Sequence, residues 1–409
     1  MRDFRLTTQV ADAGAGRRVG WTLALCFAAV MCEGFDIQGM GLAAPRLGPA
    51  LGIARDQLGP LFSASIVGLL IGAVVFGRIA DSWGRKRTLM LCLVVFGVFS
   101  VASALVARFE ALLAVRLATG IGLGGALPNL LALAAEAVSP RRRAHLVTRV
   151  TCGLPFGGAV AGLVAATSDW REIFYVGGLA PLVLAPLIAF ALPESRAFLE
   201  ARDTSAASPE RQDFPWILFG GGRARPTLLL WTASFASLLS LYVLLNWLPT
   251  LLGDKGLAKP AASLVSLLFN LGAGAGILIL ADLLERARRR WTIALWYVGL
   301  FGSIVALALV GPGFLSSAAA GFTVGFFVSS VPLPLYGLAP GYYDVLIRGA
   351  GVGASVAVGR LGAVFGPLLA AALLGLGAGA SGVLLALLPI SLVAGGATLA
   401  LVGRPALAQ

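Results

Sequence analysis

The feature that most constrains this chain is the recurrence of long apolar runs. Twelve can be marked, at 19–44, 58–79, 88–107, 111–135, 146–167, 173–192, 226–249, 261–281, 291–310, 314–337, 346–376 and 381–402. A helix of about 20 mainly apolar residues crosses ~30 Å of hydrocarbon. Only helices or closed barrels satisfy their backbone in lipid, and these runs lack the two-residue alternation of barrel strands. The expected fold class is therefore an all-α membrane protein with twelve transmembrane helices. The chain is 58% hydrophobic and 12% charged, against about 45–50% and about 25% for soluble domains. That excludes a soluble enzyme and a disordered chain. Glycines inside the runs, such as Gly68, Gly72, Gly153, Gly157 and Gly158, let helices approach closely.

The net charge of +12 from 31 Lys and Arg is a topology signal rather than a nucleic-acid footprint, which needs dense exposed basic residues. Alternate loops and termini on one side hold 23 of them, six lie on the other side, and only Arg116 and Arg360 fall within spans. By the positive-inside rule both termini are expected in the cytoplasm, and the expected location is a bacterial-type cytoplasmic membrane. The same basic side suits anionic membrane lipid. The longest non-apolar stretch, 193–225, reads as a cytoplasmic linker. It separates an N-terminal six-helix half, 1–192, from a C-terminal one, 226–409.

The residue inventory narrows the chemistry. His145 is the only histidine, which removes His-based zinc sites and Ser-His-Asp triads; it reads as a loop surface residue. Cys26, Cys32, Cys92 and Cys152 lie in apolar runs without metal-ligand spacing. No cofactor, metal or enzymatic activity is expected. The first run is too long for a signal-peptide core and contains Glu33 and Asp36, so it reads as a retained span.

The two parts of the chain share a pattern. GRIADSWGRKR (Gly77–Arg87) follows the second run and ILILADLLERARRR (Ile277–Arg290) the eighth; Asp81 and Asp282 lie 201 residues apart, as do Arg85 and Arg286. Phe156–Gly157–Gly158 and Phe365–Gly366–Pro367 repeat at an offset of 209. The first loop resembles the signature loop of the major facilitator superfamily. RLATGIGLGGALPN (Arg116–Asn129) resembles that superfamily's fourth-span motif and LPESRAFL (Leu192–Leu199) its exit from span six. EGFDIQGMGLAAP (Glu33–Pro45), NWLPTLLGDKGL (Asn246–Leu257) and IRGAGVGASVAVGRLGAVFGP (Ile347–Pro367) resemble the aromatic acid/proton symporter family. Within it, the opening Glu resembles the 3-(3-hydroxyphenyl)propionate transporter branch. The resemblance implies the major facilitator fold, two six-helix halves around a central site, and a mostly monomeric state. Members usually have Tyr-Pro before span eleven; here Tyr343–Asp344 stands instead, with Asp344 placed to cap the helix and face Arg348.

An ionisable side chain at mid-membrane costs about 2.5–3.5 kcal/mol on insertion scales and is a functional candidate by default. Glu33, Asp36, Arg116 and Arg360 meet that description. Glu33 and Asp36 share a helix face. Burial and a like neighbour both favour protonation of a carboxyl, so either could carry a proton. Arg116 or Arg360 would draw a substrate carboxylate. Alternatively, Asp36 and Arg360 form a structural ion pair with no transport role. On spans that the resemblance places at the cavity, Tyr242 and Trp247 could meet an aromatic ring, as could Phe35 and Phe269, and Asn129, Asn246 and Asn270 could bond a ring hydroxyl. Asp81 and Arg85 read as a gate, with Asp81 lying at the start of span eleven near Arg348, and Glu136 with Arg143 as a matching cluster. The resemblance adds Asp282 and Arg348 to these gating positions.

The expected function is import of an aromatic carboxylate with a proton by alternating access. A drug/proton antiporter and a transport-inactive receptor or scaffold are the rivals. The displaced proline of CGLPFGG (Cys152–Gly158) argues against the first, and the intramembrane charges in both parts against the second.

Overall fold

A computed structural model describes residues 2–136, 149–192, 194–195, 198, 216–286, 289–344 and 347–403, with side chains from Gly20 onward. Among the described residues all regular structure is helical, and twelve helices are long and apolar enough to cross a membrane. They are α1 (Gly20–Leu51), α2 (Arg55–Trp83), α3 (Arg85–Leu105), α4 (Phe109–Glu136), α5 (Arg149–Thr167) and α6 (Trp170–Ala191), then α7 (Ala224–Asp254), α8 (Lys259–Arg286), α9 (Arg289–Leu309), α10 (Phe314–Tyr342), α11 (Arg348–Gly375) and α12 (Gly379–Val402). Each coincides with one of the twelve apolar runs. The helices outrun several of those segments because the first and last turns take the polar residues that meet water at a membrane surface. Helix α1 continues through Pro45 and Pro49, and α7 through Pro249.

Two packing rules shape the bundle. Large side chains such as Phe190, Leu376, Leu315 and Val298 stay exposed on its outside, as lipid contact allows. Inside, small residues bring backbones together. A Cβ on Gly68 or Gly72 would overlap the α4 backbone, and one on Gly120 or Gly124 the α2 backbone, so this pair of helices meets glycine to glycine. Gly84 alone separates α2 from α3, at φ 101, a conformation that favours glycine. It turns Arg85 back over the bundle, where the Glu194 carboxylate accepts the Lys86 N–H at 2.8 Å.

The first six helices pack among themselves, as do the last six, and the sets meet through α1 with α7, α2 with α11 and α5 with α8. These contacts gather at one end and at mid-depth. Arg55 pairs with Asp254 at 2.5 Å, Phe62 meets Trp247 edge-on at 5.2 Å, Ser63 donates to Val364 O at 2.7 Å, and Gly41 lies against the Asn246 backbone. At the opposite end no hydrogen bond or ion pair joins described residues of the two sets. Among the described residues the polar contacts between the two sets thus lie at the end of Leu51 and Asp254, which they seal, and at mid-depth.

Candidate functional site

Helix α1 carries both acids to the middle of the bundle, where Glu33 and Asp36 are each 2% exposed. Asp36 pairs with Arg116 of α4: Nη1 donates to Oδ1 at 3.0 Å and Nη2 to Oδ2 at 2.7 Å. Ser100 Oγ donates to Asp36 Oδ1 at 3.1 Å, and Arg116 Nε donates to Ser65 Oγ at 3.0 Å. The guanidinium also lies 5.7 Å from the Phe174 ring centre. A fork-to-fork pair with its remaining lone pairs and protons engaged is the arrangement in which a buried ion pair offsets its desolvation. Asp36 therefore pairs with Arg116, not with Arg360.

Glu33 has a different environment. Its Oε2 has no hydrogen-bond partner, and it lies in the fields of Arg360 and Asp36. Arg360 of α11 donates from Nη1 to the Tyr242 hydroxyl at 3.0 Å and lies close to Tyr336 as well. Tyr336 of α10 is thus a second aromatic hydroxyl beside this arginine. Tyr242 also lines a narrow cleft, together with Ile37, Met40, Phe62, Ser65, Ile66, Leu69, Arg116, Leu123 and Asn246. Its walls are mostly apolar with a few convergent polar groups, and at about 10 Å³ it is closed down to the size of one water.

Several expected ring or hydroxyl readers have other engagements. Trp247 is fully buried, its indole N–H given to Pro367 O at 3.1 Å, and it packs in the seal rather than lining the cleft. Asn129 donates to Gly125 O in its own helix at 2.8 Å. Asn246 lines the cleft while its amide donates to Tyr242 O at 2.9 Å. Asn270 forms a reciprocal amide pair with Gln38, each bond 2.7 Å long.

Among the described residues, the expected gating positions form no ion pair across the bundle. Among the described residues Asp81 has no ion-pair partner, and Arg348 Nε is buried without a hydrogen bond. Arg85 instead pairs with Glu136 at 2.6 Å, and Ser195 Oγ also donates to Glu136. Asp282 pairs with Arg286 one turn on. Asp344 takes Arg223 at 2.9 Å rather than Arg348. Arg143 and His145 lie outside the described residues, as does most of the 193–225 stretch.

Reasoning from sequence missed Gln38, Ser65, Ser100, Phe174 and Tyr336. Tyr336 had a readable signal. Pro332 and Pro334 break α10 into Phe314–Val328 and a short helix Pro332–Leu338, and broken helices mark binding sites in transporters.

Comparison with known proteins is consistent across methods. Residues 26–258 match the family described as Major Facilitator Superfamily. The chain is 42% identical over 395 residues to the 3-(3-hydroxy-phenyl)propionate transporter of Escherichia coli (strain K12), covering 96% of each chain. It is 34% identical over 395 residues to the gallate transporter of Pseudomonas putida, covering 87% of this chain and 86% of that one. Among solved structures, a D-xylose-proton symporter superposes with a TM-score of 0.73 at 17% identity, over 93% of this chain and 96% of that one, a likeness of fold.

Proposed function

The chain belongs to the major facilitator superfamily, a family of transporters and not of enzymes, and from that premise we propose that it imports an aromatic carboxylate together with a proton. The membrane is of the bacterial cytoplasmic type, with both termini inside. The chain works as a monomer, and residues 1–192 and 226–409 act as two halves that rock about the central cleft. In this frame the sealed end faces outward.

One observation carries the reading: Arg360 lies beside two tyrosines, one of which lines the apolar cleft, with Glu33 in its field. The guanidinium takes the substrate carboxylate, Tyr242 and Tyr336 flank the ring, and Asn246 reads a ring substituent. Glu33 carries the proton, because its Oε2 has no donor to hold it ionised. The Asp36–Arg116 pair positions α1 against α4. The substrates are those of its relatives' class, hydroxyphenylpropionates or hydroxybenzoate-like acids. One proton with one monoanion moves no net charge, so the membrane potential, worth about 2.3 kcal/mol per charge per 100 mV, does not drive the cycle.

Counterflow in proteoliposomes tests the substrate class. The panel is phenylpropionates, hydroxybenzoates, phenylacetates and gentisate, with an organic cation as comparison. Exchange of aromatic acids, lost in Arg360→Gln, is the expected result. Exchange of the cation instead would make the protein a drug antiporter, and no exchange at all would make it a receptor or scaffold.

A further inference from the structure

We propose that the reciprocal carboxamide pair between Gln38 and Asn270 is a mid-membrane latch whose breaking opens the sealed end of the bundle. The proposal rests on the rocking-halves reading above, since Gln38 belongs to α1 of the first six helices and Asn270 to α8 of the last six.

The pair is built to be all-or-none. Gln38 Nε2 donates to Asn270 Oδ1 and Asn270 Nδ2 donates to Gln38 Oε1, both at 2.7 Å. Asn270 Nδ2 also donates to Ser266 O of its own helix at 2.8 Å, which fixes the amide plane. The two residues are 5% and 2% exposed. Gly158 of α5 closes the third side, and a Cβ there would overlap both Gln38 Nε2 and Asn270 Oδ1. Three helices from both sets therefore converge on one hydrogen-bonded ring.

Such a ring behaves unlike an apolar contact. Apolar side chains can slide, whereas two directional bonds are lost together when α1 and α8 separate. In a dry interior that would orphan amide donors and acceptors at high cost. Water entering an opened outer cavity would satisfy them, so the broken form suits only the opposite state. Gln38 is five residues from Glu33 on the same helix, between one and two turns away. A change of charge or ligand at Glu33 can thus reach the latch through a shift of α1 alone.

The test reads the seal directly. Thr250 is buried one turn from Asn246, the residue that meets Gly41 across the seal. A Thr250→Cys reporter, in a background with the native cysteines replaced by alanine, is titrated from outside with a membrane-impermeant maleimide in the absence of substrate. Gln38→Leu and Asn270→Leu should each raise the labelling rate about sevenfold, the gain from losing two interhelical bonds of average strength in a membrane. Gly158→Ala should act in the same direction with both amides intact. The exchanged pair Gln38→Asn with Asn270→Gln should return the rate towards that of the parent. Unchanged labelling in Gly158→Ala and in either leucine variant, each eluting as a monodisperse peak, would overturn the latch. The readout needs no substrate, so failure of the transport reading shows separately, as absent counterflow with the labelling differences intact.

Discussion

At the scale of residues, four mid-membrane charges were legible because the chain spends so few there. Their pairing was not legible, because it depends on how α1 and α4 are rotated against each other. Asp36→Asn or Arg116→Gln should each lower stability by about 3–5 kcal/mol, since each leaves one buried charge alone. The double variant Asp36→Asn/Arg116→Gln should regain much of that loss. Thermal unfolding of the detergent-solubilised protein measures all three, and an additive double variant would show that the two side chains do not form a unit. Arg360→Lys keeps the charge and loses the fork. It should raise the KM for uptake about tenfold or more while leaving unfolding temperature near the parent's. Trp247 shows the limit of reading depth from sequence: its depth suited a ring reader, but its face turns into the seal.

At the scale of elements, all twelve helices could be marked in advance, because lipid leaves the backbone no other choice. What the pattern hid was the discontinuity of α10. Its apolar run continues across Ser329–Val331, so composition shows one span where the chain makes two short pieces. The break leaves Tyr336 beside Arg360 and Tyr242. Replacing Pro332 and Pro334 by alanine should straighten α10, raise helical ellipticity slightly and weaken uptake through KM, because Tyr336 would turn away from the arginine. Unchanged KM with increased ellipticity would remove Tyr336 from the site. The glycine contact of α2 with α4 is less forgiving. Gly120→Leu should abolish accumulation of folded protein, assayed by size-exclusion of a fluorescent fusion, because the α2 backbone occupies that space.

At the scale of the whole molecule, the fold and family followed from loop motifs and repeat spacing, and the likeness to solved transporters agrees with them. The conformation did not follow. Asp81, Asp282 and Arg348 are gate residues by resemblance, and among the described residues they form no ion pair between the two sets of helices. The central claim is that an aromatic carboxylate and a proton cross together without net charge, and uptake into proteoliposomes under separately imposed gradients tests it most directly. Uptake of 3-(3-hydroxyphenyl)propionate should follow an inward proton gradient and ignore an imposed potassium-diffusion potential, and Glu33→Gln should keep exchange while losing that response to pH. Uptake driven by the potential, or a Glu33→Gln variant that still accumulates substrate on the pH gradient, would contradict the account.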